Sequence, residues 1–272
     1  MGYTFNSPDL ERWTKETSHP SFLGANAGID AYTYPLVFEP STEWHYSIGI
    51  DWAGILVQRL TSQTLEEYFK SNIFSPCGMT STSFIPSADI QERSMRVTYL
   101  DPVSGSIKAF PDNYKSLPHA REGDPDKIGV HAGGAGLFGT AKDYLAFLRA
   151  VLACDPSRSG KNTSDTGLIS GESFKELFTD TMPSSVPKTG LLSMMQRQTY
   201  HDSSFTESDV GHSVGLCMNL RDSAHGRKAG SGCWDGAAKT QFWLDPSTGI
   251  AVSLRARDVF VSLGDSAGSR WQ

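Results

Sequence analysis

The chain has 272 residues, enough for one large domain or two small ones. Hydrophobic residues at 38% and aromatic residues at 11% exclude a disordered chain. A net charge of −6 with no long basic run excludes an electrostatic footprint for nucleic acid or an anionic membrane surface.

No apolar run approaches the length of a membrane-spanning helix. The amino end, MGYTFN, has no basic segment followed by an apolar one and predicts no secretory signal. Asn6 also breaks the myristoylation pattern. Cys77, Cys154, Cys217 and Cys233 are far apart with no C-x-x-C, which predicts reduced thiols and a cytoplasmic protein. The seven histidines show no H-x-x-x-H or H-x-H spacing, so neither a metal site nor a cofactor is expected.

The first 45 residues are rich in Pro, Gly, Ser and Thr and read as ordered loop with short turns. Ile48, Trp52, Ile55, Leu56 and Leu60 then recur at helical spacing, with Ser47 placed as the cap. Thr64-Leu-Glu-Glu67 is a capping box opening a second helix, with Leu65, Tyr68, Phe69 and Phe74 on its apolar side and Pro76 and Gly78 at its end. Residues 96–110 predict two short strands around an Asp-Pro-Val-Ser-Gly turn. Thr140 to Asp143 caps a third helix whose stripe is Tyr144, Phe147, Leu148 and Val151, and a fourth starts at Ser170 with Phe174, Leu177 and Phe178 inward. Val214–Leu220, Thr240–Asp245 and Ile250–Leu254 predict strands, the last two joined through Pro-Ser-Thr-Gly as a hairpin. Helices in the middle and antiparallel strands at the end argue for an α/β or α+β protein.

Two serine motifs compete for attention. Gly211-His-Ser-Val-Gly215 spells G-x-S-x-G, the nucleophile elbow of α/β-hydrolases. An elbow needs a buried strand before the serine and a helix after it. Here a polar loop precedes Ser213 and a strand follows, and only Asp222 and His225 lie close downstream. Ser213 is therefore not expected to be a nucleophile. Ser185-Val-Pro-Lys188 is the sole S-x-x-K. That spacing joins serine and lysine only on a helix, and Pro183, Pro187 and Gly190 predict a loop. Lys188-Thr-Gly190 lacks a surrounding strand pattern as well.

The stretch EWHYSIGIDWAGILVQRLT, 43–61, carries more chemistry. Tyr46 sits at a helix entrance, where the dipole and nearby cations favour phenolate, so the oxygen can serve as a base; an ordinary core tyrosine fits the bare residues as well. Tyr46-Ser-Ile-Gly49, the helix after it, Pro76-Cys-Gly-Met79 with Thr82-Ser-Phe84, then GGAGLFGTAKDYLAFLRAVL and GSGCWDGAAKTQFWLDPSTGIAV together resemble the serine β-lactamase-related family. That family includes class C β-lactamases, penicillin-binding proteins, family VIII carboxylesterases and fungal statin-type acyltransferases. Trp234-Asp-Gly236 stands where lactamases have K-T-G and the esterases W-G-G.

The resemblance implies a β-lactamase/transpeptidase-like fold: an antiparallel sheet flanked by helices, plus a helical region. It implies one partial domain over 1–255, with helices at about 47–200 and sheet strands at about 212–255, followed by a divergent tail at 256–272. It also implies an acyl-enzyme mechanism. A serine in S-x-x-K attacks the acyl carbonyl, aided by the lysine and by a tyrosine, here Tyr46. The serine N–H and one from the W-x-G strand form the oxyanion hole, which places Trp234, Gly236 and Ala237 along the substrate wall. Ile48 replaces the polar residue of the lactamase triplet and suits the esterase or acyltransferase branch. Asp235 replaces a glycine, which changes the shape of that wall.

The family's S-x-x-K lies further upstream of the tyrosine than the 45 residues present here. MGYTFNSPDL resembles the segment that follows HTSGL, and SLRARDVFVSLGDSAGSRWQ departs from the family's closing strand and helix. Both features lead to the expectation that the domain is incomplete at both ends. Two functional readings stand at this point. One is a serine esterase or acyltransferase of small-molecule secondary metabolism, acting on an acyl ester or thioester with an acyl-carrier partner. The other is an inactive remnant or ligand-binding protein of the same fold.

Overall fold

Ser7 opens a helix where composition predicted loop. The computed structural model describes residues 7–22, 27–95, 98–101, 103–109, 128–158, 167–196, 202–236, 240–255 and 260–261. The Ser7 hydroxyl accepts from the Leu10 N–H, Pro8 takes the first helical position, and Asp9 and Glu11 occupy the first turn of α1, Pro8–Thr17. These are strong N-terminal signals, hidden in the sequence by turn-rich surroundings. Leu10 is buried beside Tyr32, Ile48 and Ile55, with Trp13, Tyr46 and Trp52 against the same cluster.

The next helix, α2, spans Gly49–Thr61. Ser47 is not its cap, as the sequence suggested; Ile48 holds that position and its side chain offers no hydrogen bond. The expected apolar stripe is also corrected. Ile48 and Ile55 are buried, whereas Leu56 and Leu60 are 57% and 77% exposed. The inward row contains a carboxylate instead: Asp51 is buried and accepts from the Gly134 N–H at 3.0 Å. A pattern of apolar letters cannot show that an acid, partnered from 83 residues away, belongs to the buried face.

The capping box at Thr64 and Glu67 forms as expected and starts α3, Leu65–Phe69. A π-type turn, Lys70–Phe74, and α4, Ser75–Cys77, continue it to Gly78, whose φ of +66° suits glycine. Ser87 caps a short α5, Ala88–Glu92. Thr140 caps α6, Ala141–Ala153, and Ser170 caps α7, Gly171–Leu177. One further helix, α8 at Thr189–Gln196, begins immediately after Lys188 and buries Leu191 and Met195. Eight residues gave too short a period to be recognised beside the prolines.

Buried carboxylates hold these helices to the chain between them. Glu66 on α3 accepts from Ser83 Oγ at 2.6 Å and from the Phe84 N–H at 2.7 Å. Asp143 on α6 accepts from the Ser81 N–H at 2.7 Å and the Thr82 hydroxyl at 3.0 Å. The segment 81–84 is thereby fixed from both sides, and Ser83 also bridges to Phe138.

Two strands, β1 at Thr98–Leu100 and β2 at Ile107–Ala109, pair antiparallel as expected. The main sheet is a five-strand meander, antiparallel throughout: β3 (Val210–His212), β4 (Cys217–Asn219), β5 (Gly232–Asp235), β6 (Thr240–Asp245) and β7 (Ile250–Arg255). The strand expected at Val214–Leu220 is shorter, because Val214 lies in a turn and is exposed. The Pro-Ser-Thr-Gly connection forms, with the Asp245 carboxylate accepting from the Thr248 N–H and the Ser247 hydroxyl. Leu148, Val151, Leu152, Phe174 and Leu244 pack α6 and α7 against the sheet. A last strand, β8 at Phe260–Val261, runs parallel to β1 and lies within the stretch expected to be a divergent tail. Among the described residues no helix is long and apolar enough to cross a membrane.

Candidate active site

Tyr46 enters α2 from a segment without regular structure and is half-buried. Its ring centroid lies 5.8 Å from that of Trp234 on β5, tilted by 41°. Trp234 also meets His212 on β3 edge-on, at 5.7 Å and 84°. His212 in turn lies 6.0 Å from Trp44. Four half-buried rings from three parts of the chain thus form one row. Such tilted and edge-on contacts at these separations are favoured ring geometries.

Tyr46 and Trp234 were singled out in the sequence; Trp44 and His212 were not. A signal for Trp44 existed, since positions 44 and 46 project to one side of an extended chain. His212 had none, because it stood inside a serine motif that drew attention to its neighbour.

Local packing explains why the row forms. Trp44, Trp234 and Trp243 rest on a cluster of Leu191, Met195, Phe205, Val210, Cys217 and Cys233, so α8 supports the row from below. At Gly190 a Cβ would lie 3.1 Å from the Trp44 carbonyl oxygen, and at Gly211 one would lie 2.6 Å from the Asp180 carboxyl carbon. Glycine at 211 lets Asp180 reach the strand, where it accepts from the His212 N–H at 3.0 Å and from Lys188 Nζ at 2.9 Å. Lys188 Nζ also donates to the Val210 carbonyl at 2.8 Å.

That arrangement disposes of Ser185-Val-Pro-Lys188 as a catalytic pair. The serine is exposed in a turn and the ammonium is committed to Asp180 and β3. The other motif is equally structural. Ser213 is 2% exposed in the β3–β4 hairpin turn, and its hydroxyl accepts from the Leu216 N–H at 3.0 Å and the Gly215 N–H at 3.3 Å. Strand, turn and strand replace the strand, turn and helix that an elbow requires.

Gly236 ends β5 with its N–H donated to the Thr240 carbonyl at 2.9 Å. A Cβ there would come within 2.8 Å of the Thr240 hydroxyl, which would have to turn aside. Its N–H is therefore occupied by the hairpin. Ala237, the next wall residue expected from the sequence, lies outside the described residues.

Burial pushes the His212 pKa below its ordinary value, against the opposing pull of the Ser213 carbonyl and Asp180. Burial does the same to His131, against Glu66 and Glu67. Unfolding exposes both imidazoles, which then take up protons below about pH 6.5 while the folded chain resists doing so. The unfolded state binds more protons, so stability present above that pH is lost as the pH falls through it and toward the lower folded values. Urea midpoints should fall from pH 7.5 to 5.5, and less steeply in His131→Phe. Equal slopes in the two proteins would contradict this.

The β-lactamase family profile matches residues 10–259. The fold and the profile together define the class: the chain belongs to the β-lactamase family. It is 32% identical over 157 residues to the lovastatin esterase of Penicillium rubens, covering 56% of this chain and 37% of that one. To acyltransferase calJ of Penicillium decumbens it is 28% identical over 258 residues, covering 92% and 57%. The unliganded simvastatin synthase (LovD) of Aspergillus terreus shares the fold at a TM-score of 0.67 and 20% identity, over 94% of this chain and 59% of that one. EstCE1, a hydrolase with promiscuous acyltransferase activity, does so at 0.56 and 17%, over 83% and 54%. The chain spans about half the length of the curated relatives it matches.

Proposed function

We propose that the Tyr46–Trp234 pair is the base-and-wall side of an acyl-transfer site for small-molecule esters or thioesters of secondary metabolism. In this reading Tyr46 takes the hydroxyl proton of the serine as that serine attacks the acyl carbonyl and passes it to the leaving group, and Trp234 flanks the acyl group. Gly236 and Ala237 continue that wall in this reading, with one N–H of the W-x-G strand serving the oxyanion. The observation that carries it is the 5.8 Å contact between a half-buried phenol at a helix entrance and an indole on a sheet strand. Relatives named as an esterase and as acyltransferases support it. An acyl-carrier protein is the natural donor if a thioester is used, and four cysteines that form no disulfide fit a cytoplasmic setting.

The one S-x-x-K of these 272 residues lies in a turn with its lysine engaged, and in this reading no serine of the described residues serves as the nucleophile. The expected behaviour of this chain is therefore uptake of an acyl ester without turnover, which is also what a ligand-binding member of the fold would show. Treatment with a fluorophosphonate probe should label no serine, while p-nitrophenyl butyrate binds and Tyr46→Phe leaves that binding within threefold. Labelling of any serine would return the nucleophile to this chain. Failure to bind the ester at all would remove the site.

A further inference from the structure

Cys217 on β4 and Cys233 on β5 stand directly opposite one another in the sheet. Opposed residues of an antiparallel pair project to the same face, and both side chains are fully buried there with Leu191 and Met195 of α8. Two residues along the same register, the Asn219 N–H donates to the Ser231 carbonyl at 2.9 Å. Hydrogen-bonded and non-bonded pairs alternate along such a ladder. Cys217 and Cys233 are therefore also a hydrogen-bonded pair, with Cα atoms about 5.5 Å apart. A disulfide spans roughly 4.4–6.8 Å between Cα atoms. The bond is absent, yet the strands already hold the spacing it needs.

Two facing thiols sealed from water pack as a small apolar contact until an oxidant small enough to enter reaches them. Burial, then Cys233 and Asp235, push the Cys217 thiol above its ordinary value. Little thiolate is present, so trace oxidant leaves the pair alone. Once one sulfur has reacted, the second is already in place, and the intermediate closes to a disulfide before it can climb to sulfinic acid. We propose that Cys217 and Cys233 are a dithiol–disulfide couple, which hydrogen peroxide oxidises to a bond that locks β4 against β5. One thiolate attacks a peroxide oxygen, the O–O bond breaks, and a sulfenic acid and water result. The second thiol then attacks the sulfenic sulfur and a second water leaves. Two thiols and one peroxide give one disulfide and two waters; each sulfur loses one electron and the peroxide oxygens gain two.

Peroxide treatment of the folded chain, followed by alkylation in urea, digestion at basic residues and mass spectrometry, tests this. Arg221, Arg227 and Lys228 lie between the two cysteines, so their peptides separate unless a bond joins them. A linked Cys217–Cys233 peptide, lighter by two hydrogens and released by dithiothreitol, is expected. The bond closes a loop in the unfolded chain, so the oxidised protein should unfold at higher urea than the reduced one. Cys217→Ala and Cys233→Ala, checked for folding by circular dichroism, should give neither the peptide nor the shift, while Cys77→Ala keeps both.

Sulfinic acid at either cysteine without a linked peptide, a bond from either to Cys77 or Cys154 instead, or oxidation that occurs only in urea would each overturn the proposal. Trp234 follows Cys233 directly, so the oxidised chain should also take up p-nitrophenyl butyrate at least threefold more weakly. This consequence alone rests on the acyl-transfer reading. If neither form binds the ester, that reading fails while the linked peptide still decides the couple. Equal ester affinity in the two forms would overturn the link between couple and site.

Discussion

Glu66→Ala is expected to cost about 3–5 kcal/mol of folding stability, the range for removing one partner of a buried charged network. The Glu66 side chain is 5% exposed and serves three donors: Ser83 Oγ, the Phe84 N–H and Lys70 Nζ, the last at 2.9 Å. Alanine leaves the Phe84 N–H buried without its partner. An orphaned buried donor costs about 1–3 kcal/mol by itself. Phe84 is fully buried against Phe69 and His131, so the segment cannot swing out to reach water without opening that core.

Glu66→Gln should lose less, because an amide oxygen still accepts while its NH₂ faces a donor. Glu67→Ala, one residue along, removes only the exposed half of a capping box and should cost far less than Glu66→Ala. Urea unfolding of the three variants gives the ranking. A loss below about 1 kcal/mol for Glu66→Ala would mean that 81–84 is not held by this carboxylate. The consequence reaches the site, since α3 packs on α2 through Leu65 and Gly54, and α2 follows directly from Tyr46.

Trp234→Ala should weaken binding of p-nitrophenyl butyrate at least tenfold, about 1.4 kcal/mol. Trp234 is the one ring of the row that touches both Tyr46 and His212, at 5.8 and 5.7 Å. Removing it opens the wall and separates the phenol from the imidazole. Trp234→Phe keeps a ring in the gap and should lose less than threefold, whereas the same change at Trp243, which pairs with Val252 on β7, should leave ester binding unaltered. Calorimetry on the four proteins decides it. An alanine variant with the affinity of the parent would place the ester elsewhere.

How much of this was legible in the letters follows from the range of each interaction. Thr64 with Glu67, Thr140 with Asp143, and Ser170 with Ser173 are contacts three residues apart, and all three caps were readable because partner and donor are written side by side. The β6–β7 hairpin was readable for the same reason. Ser7-Pro-Asp carried an equally local signal for α1, and only the surrounding turn-forming composition obscured it.

The errors have a different source. Leu56 and Leu60 were placed inward because periodicity weighs side chains by polarity, while burial is decided by what packs against them. Asp51 took the inner row because a backbone N–H at Gly134 waited for it. The rejection of Ser213 illustrates the favourable case, in which the flanks of a motif already contradicted it, and the hairpin then showed the hydroxyl sealed by Leu216 and Gly215.

Family, fold class, the starts of the helices at Thr64, Thr140 and Ser170 and the β6–β7 hairpin were determined by the order of residues, since each depends on short-range patterns or on matching blocks in sequence. The row that joins Trp44, Tyr46, His212 and Trp234 was decided only in three dimensions. Its members lie up to 190 residues apart, and they meet because Asp180 draws β3 inward past Gly211, α8 fills the space beneath, and a sheet brings distant strands side by side. Local propensity contains no term for such meetings; packing supplies it.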